Sequence, residues 1–329
     1  MSETMRELTF TAAAREGLAE EMARDSSVFV VGEGIGVRGG NFNTTSGLFD
    51  LYGPERLRDT PISERGFTGL CTGAAMVGAR PVVDYMFFDF ALDALGELFN
   101  QTAKVQYMSD GRLKMPIVLR GCIGAGNAAA THHSGSYYPL FVHLPGLRVV
   151  VPTTPRDAKG LLKTAIRSDD PVVFMEHRGV LNTKGLVPEG EYLIPFGQAA
   201  VAREGKDVTV VGIAVMVNRA LEAAEQLAAE GISVEVIDPR TIAPLDIDTI
   251  LASVHKTGRL LVADETYAPC GIGAEIATQV MEKGFDDLDA PVRRLNSAHT
   301  PMPYSPPLEK AVLPDAKAVA QAIRELMAE

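Results

Sequence analysis

Short apolar runs alternate along the chain with stretches whose apolar positions recur every three or four residues. That alternation is the pattern of an α/β fold with a largely parallel sheet. The first run, Val28-Phe29-Val30-Val31, ends at Gly32-Glu33-Gly34; the others in this half are Pro81–Tyr85, Pro116–Leu119, Leu147–Val151 and Val172–Met175. Near-continuous hydrophobicity predicts strands buried on both faces. Between the last two runs, Thr154-Pro155 predicts a helix start. Threonine is a good N-cap, and proline suits the first helical position, where an N–H would have no partner. Leu161, Leu162, Ala165 and Ile166 give that helix one apolar face.

The periodicity fails from His177 to Pro195, where Arg178-Gly179, Lys184-Gly185 and Pro188-Glu189-Gly190 cluster. Such a break predicts a domain boundary, giving a first domain over 1–180, a linker over 181–197 and a second domain over 198–329. The second domain opens with a strand at Val208–Ile213, a helix from Asn218 to Ala229 closed by Gly231, and a strand at Val234–Ile237, which is a βαβ unit; Leu260–Ala263 is a further strand.

Composition narrows the function. A chain of 329 residues, 46% hydrophobic and 22% charged, is an ordinary globular protein with a sizeable core. A net charge of −11, with no Lys/Arg run to offset it, argues against a nucleic-acid partner. Cys71, Cys122 and Cys270 are far apart and form no C-x-x-C pair. They signal neither a disulfide framework nor a zinc site and read as small core residues. Met1-Ser2-Glu3-Thr4 lacks a secretory signal's basic start, and no apolar run approaches the roughly 20 residues of a membrane helix. A cytoplasmic protein without a membrane partner is expected.

Gly32-Glu33-Gly34-Ile35-Gly36 and Gly124-Ala125-Gly126 fit the G-x-G-x-x-G dinucleotide loop poorly, and no phosphate loop is present. More informative is Asp59-Thr60-Pro61-Ile62-Ser63-Glu64, which leads into a small-residue helix over Gly66–Ala79. Glu64 there either caps the helix, favoured by its dipole, or is a partly buried carboxylate that acts on a proton; pattern alone favours the cap. Tyr85, Phe87, Phe88 and Phe90 gather at a strand end, where aromatics form core or, at the carboxyl edge of a parallel sheet, face a ligand. His132-His133 lies in a Gly/Ala-rich loop. Adjacent histidines seldom chelate one metal, so one of them serves acid–base work, substrate binding or a structural hydrogen bond. Which of the two would face substrate stays open.

Beyond these local readings, the ordered segments Asp59–Glu64, Gly73-Ala74-Ala75-Met76, Arg80-Pro81, Asp89-Phe90, Asn100-Gln101-x-Ala103-Lys104, His133-Ser134, Pro145-Gly146-Leu147, Asp157–Leu162, Asp170-Pro171-Val172, Asp238–Thr241 and Thr300-Pro301-x-Pro303-Tyr304 closely resemble the β subunits of 2-oxo acid dehydrogenases. The resemblance runs from about residue 6 to the end, and Gly284–Pro291 with His299-Thr300-Pro301 looks nearest to pyruvate- and acetoin-type members. It implies a transketolase-like fold, a parallel-sheet pyrimidine-binding domain followed by a smaller C-terminal α/β domain. It also implies thiamine diphosphate as cofactor, shared with a separate α subunit that supplies the Mg2+ site through Gly-Asp-Gly and paired Asn. This chain has Ser109-Asp110-Gly111 but neither of those motifs.

The remaining implications concern roles and partners. By resemblance Glu64 bonds N1′ of the cofactor's aminopyrimidine, Phe90 packs on that ring, Glu33 is an acid of the cofactor cavity, and His133 orients substrate or assists transfer to a lipoyl group. Backbone carbonyls of Ile117, Ala165, Ile166, Ser168 and Asp170 match a K+ site of some members. The expected assembly is a heterotetramer of two α and two β chains, docked on a lipoyl acyltransferase core and acting on a small 2-oxo acid. Two departures touch the substrate channel: Gly135 and Asp93 stand where members usually carry Gln. Acetoin dehydrogenase is therefore an alternative, and a split transketolase is a further one, for which no phosphate-binding Arg/His set is found.

Overall fold

The computed structural model describes residues 4–329; Met1, Ser2 and Glu3, part of the segment read above for a secretory signal, lie outside the described residues. The chain divides into two compact units. The first runs to Ile123 and resumes over Leu140–Phe196, and the second comprises Gly124–Pro139 and Gly197–Glu329. No helix among the described residues is long and apolar enough to cross a membrane.

The first unit contains strands β1 (Met5–Thr9), β2 (Val28–Gly32), β3 (Leu57–Asp59), β4 (Arg80–Phe87), β5 (Val118–Ile123), β6 (Arg148–Val150), β7 (Val172–His177) and β8 (Lys184–Pro188). Its main sheet orders them β6-β7-β5-β4-β2-β3, with every one of these pairs parallel. β5 and β7 are buried along their whole length, as expected for strands covered on both faces, although the apolar runs are interrupted by Arg120 in β5 and end in Glu176-His177 in β7. The run expected from Pro116 is a strand only from Val118, because proline has no N–H to give the ladder. Helices α1 (Phe10–Arg24), α2 (Leu48–Arg56) and α3 (Glu64–Met76) follow in sequence, then the short α4 (Leu95–Glu97), α5 (Val105–Met108) and α6 (Tyr138–Val142), and then α7 (Pro155–Arg167). α7 starts as its sequence predicts: Thr154 Oγ1 accepts from Asp157 N at 3.1 Å, and Pro155 opens the first turn. Its buried face packs on α1, with Lys159 and Lys163 paired to Glu16, Glu20 and Glu191.

Within 181–197, read above as a linker, Lys184–Pro188 forms β8 and pairs antiparallel with β1, Thr9 opposite Lys184. Single-segment periodicity cannot reveal a partner that far away in sequence.

The second unit contains β9 (Ala200–Arg203), β10 (Val208–Gly212), β11 (Val234–Asp238), the short β12 (Thr241–Ala243), β13 (Leu260–Tyr267) and β14 (Arg293–Ser297), and its five-stranded sheet runs β14-β13-β10-β11-β9. Helices α8 (Val215–Ala228), α9 (Ile247–Thr257), α10 (Ile272–Gly284), α11 (Pro306–Val312) and α12 (Ala316–Met327) accompany it. α8 begins three residues before the expected Asn218, because Val215, Met216 and Val217 turn inward as helix rather than extending β10.

Candidate active site

In the first unit the carboxyl ends of β2, β3 and β4 bring together the acidic residues singled out by sequence. Parallel sheets bind ligands at this edge. Gly32 closes β2 against β4; a Cβ there would lie 2.2 Å from the carbonyl oxygen of Asp84, so only glycine lets the strands close. Glu33 follows directly. Burial, reinforced by the like charges of Glu64 and Asp84, raises its pKa above the usual carboxylate value. Its Oε1 is buried and without a hydrogen-bond partner among the described residues, as is Oγ1 of Thr60. Asp84 is itself buried and accepts from Thr44 Oγ1 at 3.0 Å and from Met86 N at 2.9 Å.

Glu64 is the first residue of α3 and is only 6% exposed. The N-cap position belongs to Ser63, which makes no side-chain cap bond. Among the described residues no hydrogen bond or ion pair reaches the Glu64 carboxylate. Hydrogen-bonded capping is therefore not what this side chain does. The side chain is enclosed but its carboxylate oxygens are not among the buried atoms, so the acceptors at its tip are open to a ligand that carries a donor.

The aromatic group divides. A bulge in β4, where Asp84 pairs with Arg120 but Phe87 with Cys122, redirects the strand end. Tyr85 and Phe88 point into the core and meet edge-on at 5.5 Å, whereas Phe90 is 36% exposed. Glu33 and Glu64 offer unfilled acceptors close enough to feel each other's charge, and Phe90 offers an exposed ring, groups of the kind that suit a flat heterocycle carrying N–H donors such as an aminopyrimidine.

Of the five carbonyls matched to K+, four accept hydrogen bonds from the chain itself. Those of Ile166 and Ser168 accept from Arg80 Nη1 at 3.0 and 2.9 Å, and that of Ile117 accepts from Val172 N at 2.9 Å. Ala165 O accepts from Ser168 N at 3.2 Å, while at Asp170 it is the side chain, not the carbonyl, that pairs with Arg148. The Arg80 guanidinium lies against two of these carbonyls, and no step below uses K+.

His132 and His133 lie in the second unit, in a 3-10 turn over Thr131–His133. His132 is exposed and His133 half-buried. Beside them a cleft of about 380 Å³ is lined by Ser134, Gly135 and Tyr137 on one side and Tyr267, His299 and Met302 on another. Gly135 thus borders the cleft, while Asp93, in the first unit, is exposed. Of the cysteines, Cys71 and Cys122 are buried and their thiols pushed up to about 12 by burial, which removes thiolate chemistry; Cys270 is exposed on a turn, not in the core.

Comparison with known proteins identifies the setting. The transketolase pyrimidine-binding domain matches residues 6–184 and the transketolase C-terminal domain residues 197–319. The chain is 46% identical to the β subunit of acetoin:2,6-dichlorophenolindophenol oxidoreductase from Cupriavidus necator, covering 98% of each chain. It is 45% identical to the pyruvate dehydrogenase E1 component subunit β of Rickettsia felis, over 97% of this chain and 98% of that one. The mitochondrial counterpart from Dictyostelium discoideum is also 45% identical, over 98% and 91%. The chain belongs to the pyruvate and acetoin dehydrogenase E1 β-subunit family. A split-gene transketolase in an inactive β4 tetramer shares the fold, with a TM-score of 0.78 over 98% of each chain at 24% identity.

As an E1 β subunit the chain is a thiamine-diphosphate-dependent oxidoreductase component, and Glu33, Glu64 and Phe90 all fall inside the pyrimidine-binding match. Sequence reasoning missed three residues, two in the first unit and one in the second. Arg120 and Glu176 form a buried two-point ion pair beside Asp84, at 2.7 and 2.9 Å. Both sit inside or beside apolar runs that read as plain core strand. Glu309 was missed as well; its buried carboxylate on α11 accepts from Ala128 N at 3.3 Å, and no motif marks it.

Proposed function

We propose that this chain supplies the pyrimidine half of a split active site that decarboxylates a 2-oxo acid, pyruvate or a near relative, and passes the acyl group to a lipoyl acyltransferase. The observation that carries this reading is Glu64 at the head of α3, a largely enclosed side chain whose carboxylate has no hydrogen-bond donor among the described residues and stays open at its tip. When bound, thiamine diphosphate supplies the carbon that adds to the 2-oxo carbon and takes up the electron pair left by departing CO2. Glu64 holds a proton at N1′ of the aminopyrimidine, favouring the tautomer whose exocyclic nitrogen is basic. Glu33, kept protonated more readily by burial and by Glu64 and Asp84, stores a proton nearby. Phe90 offers its exposed face to the ring, and His133 orients the substrate or assists transfer to the lipoyl group.

The diphosphate and Mg2+ ligands belong, in this reading, to an α subunit, and the assembly is two α and two β chains. Self-pairing is supported by α3, whose outer face exposes Gly66, Leu70, Gly73 and Val77 at helical spacing. A Cβ at Gly73 would touch nothing within 4 Å, so packing inside this chain does not require glycine there. Calorimetry tests the split site: the isolated chain binds thiamine diphosphate weakly, and tight Mg2+-dependent binding by it alone would sink the reading. A second reading, cleavage of acetoin, is favoured by the 46% identical relative from Cupriavidus necator and by Gly135 at the cleft. Turnover of acetoin against pyruvate with the α partner separates the two. Ketol transfer without any lipoyl acceptor would instead mark a split transketolase.

A further inference from the structure

We propose that Glu309 is a positioning residue, fixing from α11 the strained backbone that presents the histidine pair; this rests on the reading that His133 acts on substrate. The strain is explicit. Gly124, Gly126, Asn127, Ala128 and Ala130 all have positive φ, at 88°, 140°, 59°, 53° and 61°. Ala130 combines its φ with a ψ of −165°, a region open in practice only to glycine, and the turn bearing the histidines starts at the next residue. Such a conformation persists only where its surroundings over-determine it.

The ties come from the second unit itself. The loop closes on itself through Gly124 N to Gly135 O at 3.0 Å and Ser134 Oγ to Ala130 O at 2.6 Å. Ala125 N donates to Glu265 Oε1 at 2.9 Å, Ala128 N to Glu309 Oε2 at 3.3 Å, and Thr131 Oγ1 to the carbonyl of Met302 at 2.9 Å. At the loop's exit, the Tyr138 hydroxyl donates to the buried Asp264.

Glu265 and Glu309 differ in kind. Glu265 is charge-compensated by Arg219, whose Nη1 lies 3.2 Å from its Oε2. Glu309 is 6% exposed, no cation pairs with it among the described residues, and its Oε1 is buried without a partner. It sits in the first turn of α11 behind Pro306 and Pro307, whose fixed φ stiffens the platform. A buried acceptor left half unused adds nothing to the core. The one hydrogen bond described for its carboxylate comes from the strained Ala128, two residues before Ala130. The chain segment from His299 to Glu309 therefore supplies a cleft wall, the Thr131 tie and the Ala128 tie together.

The test uses the full chain reconstituted with its α partner. Glu309→Ala removes the acceptor, Glu309→Asp keeps the charge but falls one methylene short, and Glu309→Gln keeps an acceptor oxygen at the same reach. Hydrogen exchange over 124–137 and kcat with an artificial electron acceptor are measured, each alone and combined with His133→Ala. In the Ala and Asp variants loop exchange rises about 10-fold or more while the rest of the unit is unchanged. Their kcat falls by about 10-fold, and in the His133→Ala background the same Glu309 changes cause no further loss. Gln restores both. Unchanged exchange in Glu309→Ala overturns the anchor, and multiplicative losses in the double variant overturn the positioning role. Normal turnover by His133→Ala alone removes the histidine's role, and the positioning role with it.

Discussion

Glu176→Gln should be among the most damaging single changes in the first unit that leave volume unchanged. Arg120 and Glu176 are 1% and 4% exposed and meet through two bonds, Nε to Oε2 at 2.7 Å and Nη2 to Oε1 at 2.9 Å. Two unit charges about 4 Å apart attract by about 4 kcal/mol at an effective dielectric constant near 20. Removing one partner leaves a buried guanidinium uncompensated, which costs about 3–5 kcal/mol. Arg120 Nη1 has no partner among the described residues, so nothing waits to take up the slack except the neighbouring Asp84. At about 2–4 °C per kcal/mol for domains of this size, melting should fall by about 6–20 °C. The chain has no tryptophan, so circular dichroism at pH 7 is the suitable probe. Arg120→Met with Glu176→Leu should recover most of the loss, because neither member of the pair is then left unpaired. A Glu176→Gln midpoint within about 2 °C of wild type, less than about 1 kcal/mol, would refute the reasoning.

Glu33→Gln should stabilise the chain at pH 7. Because burial and neighbouring carboxylates raise the pKa of Glu33 above 4.5, the folded state holds that proton more tightly than the unfolded one. Its contribution is full below 4.5 and is lost as pH rises through the raised value. Denaturation series at several pH values should show the advantage of Gln shrinking toward acid, and a variant less stable at pH 7 would contradict this. Gly73→Leu should weaken self-association without destabilising the isolated chain, since its side chain meets open space here and leucine is the better helix former; light scattering that shows the oligomer intact would remove α3 from the interface. Replacing K+ by choline should leave the melting temperature unchanged, because Arg80 already serves the Ile166 and Ser168 carbonyls. A loss of several degrees would restore the cation site.

What the sequence made legible follows from how locally each feature is encoded. Val172–Met175 and Val208–Ile213 read as buried strands because both faces are covered. Thr154-Pro155 marks the start of α7 because cap and first turn are adjacent in the chain. The pairing of β1 with β8 was not legible, since its partners lie far apart and their exposure follows no simple period. Nor was the membership of Gly124–Pro139 in the second unit, which depends on carboxylates from Glu265 and Glu309 rather than on any property of the loop. At the site, Glu64 was found by motif, but its lack of a hydrogen-bonded capping role needed the backbone of Ser63. Which aromatic stays exposed was set by the β4 bulge, invisible in a run of four similar residues. Two charged residues in and beside apolar strands, Arg120 and Glu176, were overlooked because each looks like an isolated exception until their pairing is seen.

The central claim, that Glu64 holds the proton on the cofactor's aminopyrimidine, is tested most directly by Glu64→Gln in the complex reconstituted with α. Gln preserves size and one acceptor oxygen but not the negative charge. Deuterium exchange at C2 of the bound thiamine diphosphate, quenched in acid and read by NMR, needs no knowledge of the true substrate. The account predicts near-normal assembly and melting, with exchange slowed by about 10²–10⁴-fold, the range of acid–base catalysis. Exchange at the wild-type rate, with a stability loss of about 0.5–2 kcal/mol as the main effect, would mean that Glu64 only supports the start of α3 and would contradict the account.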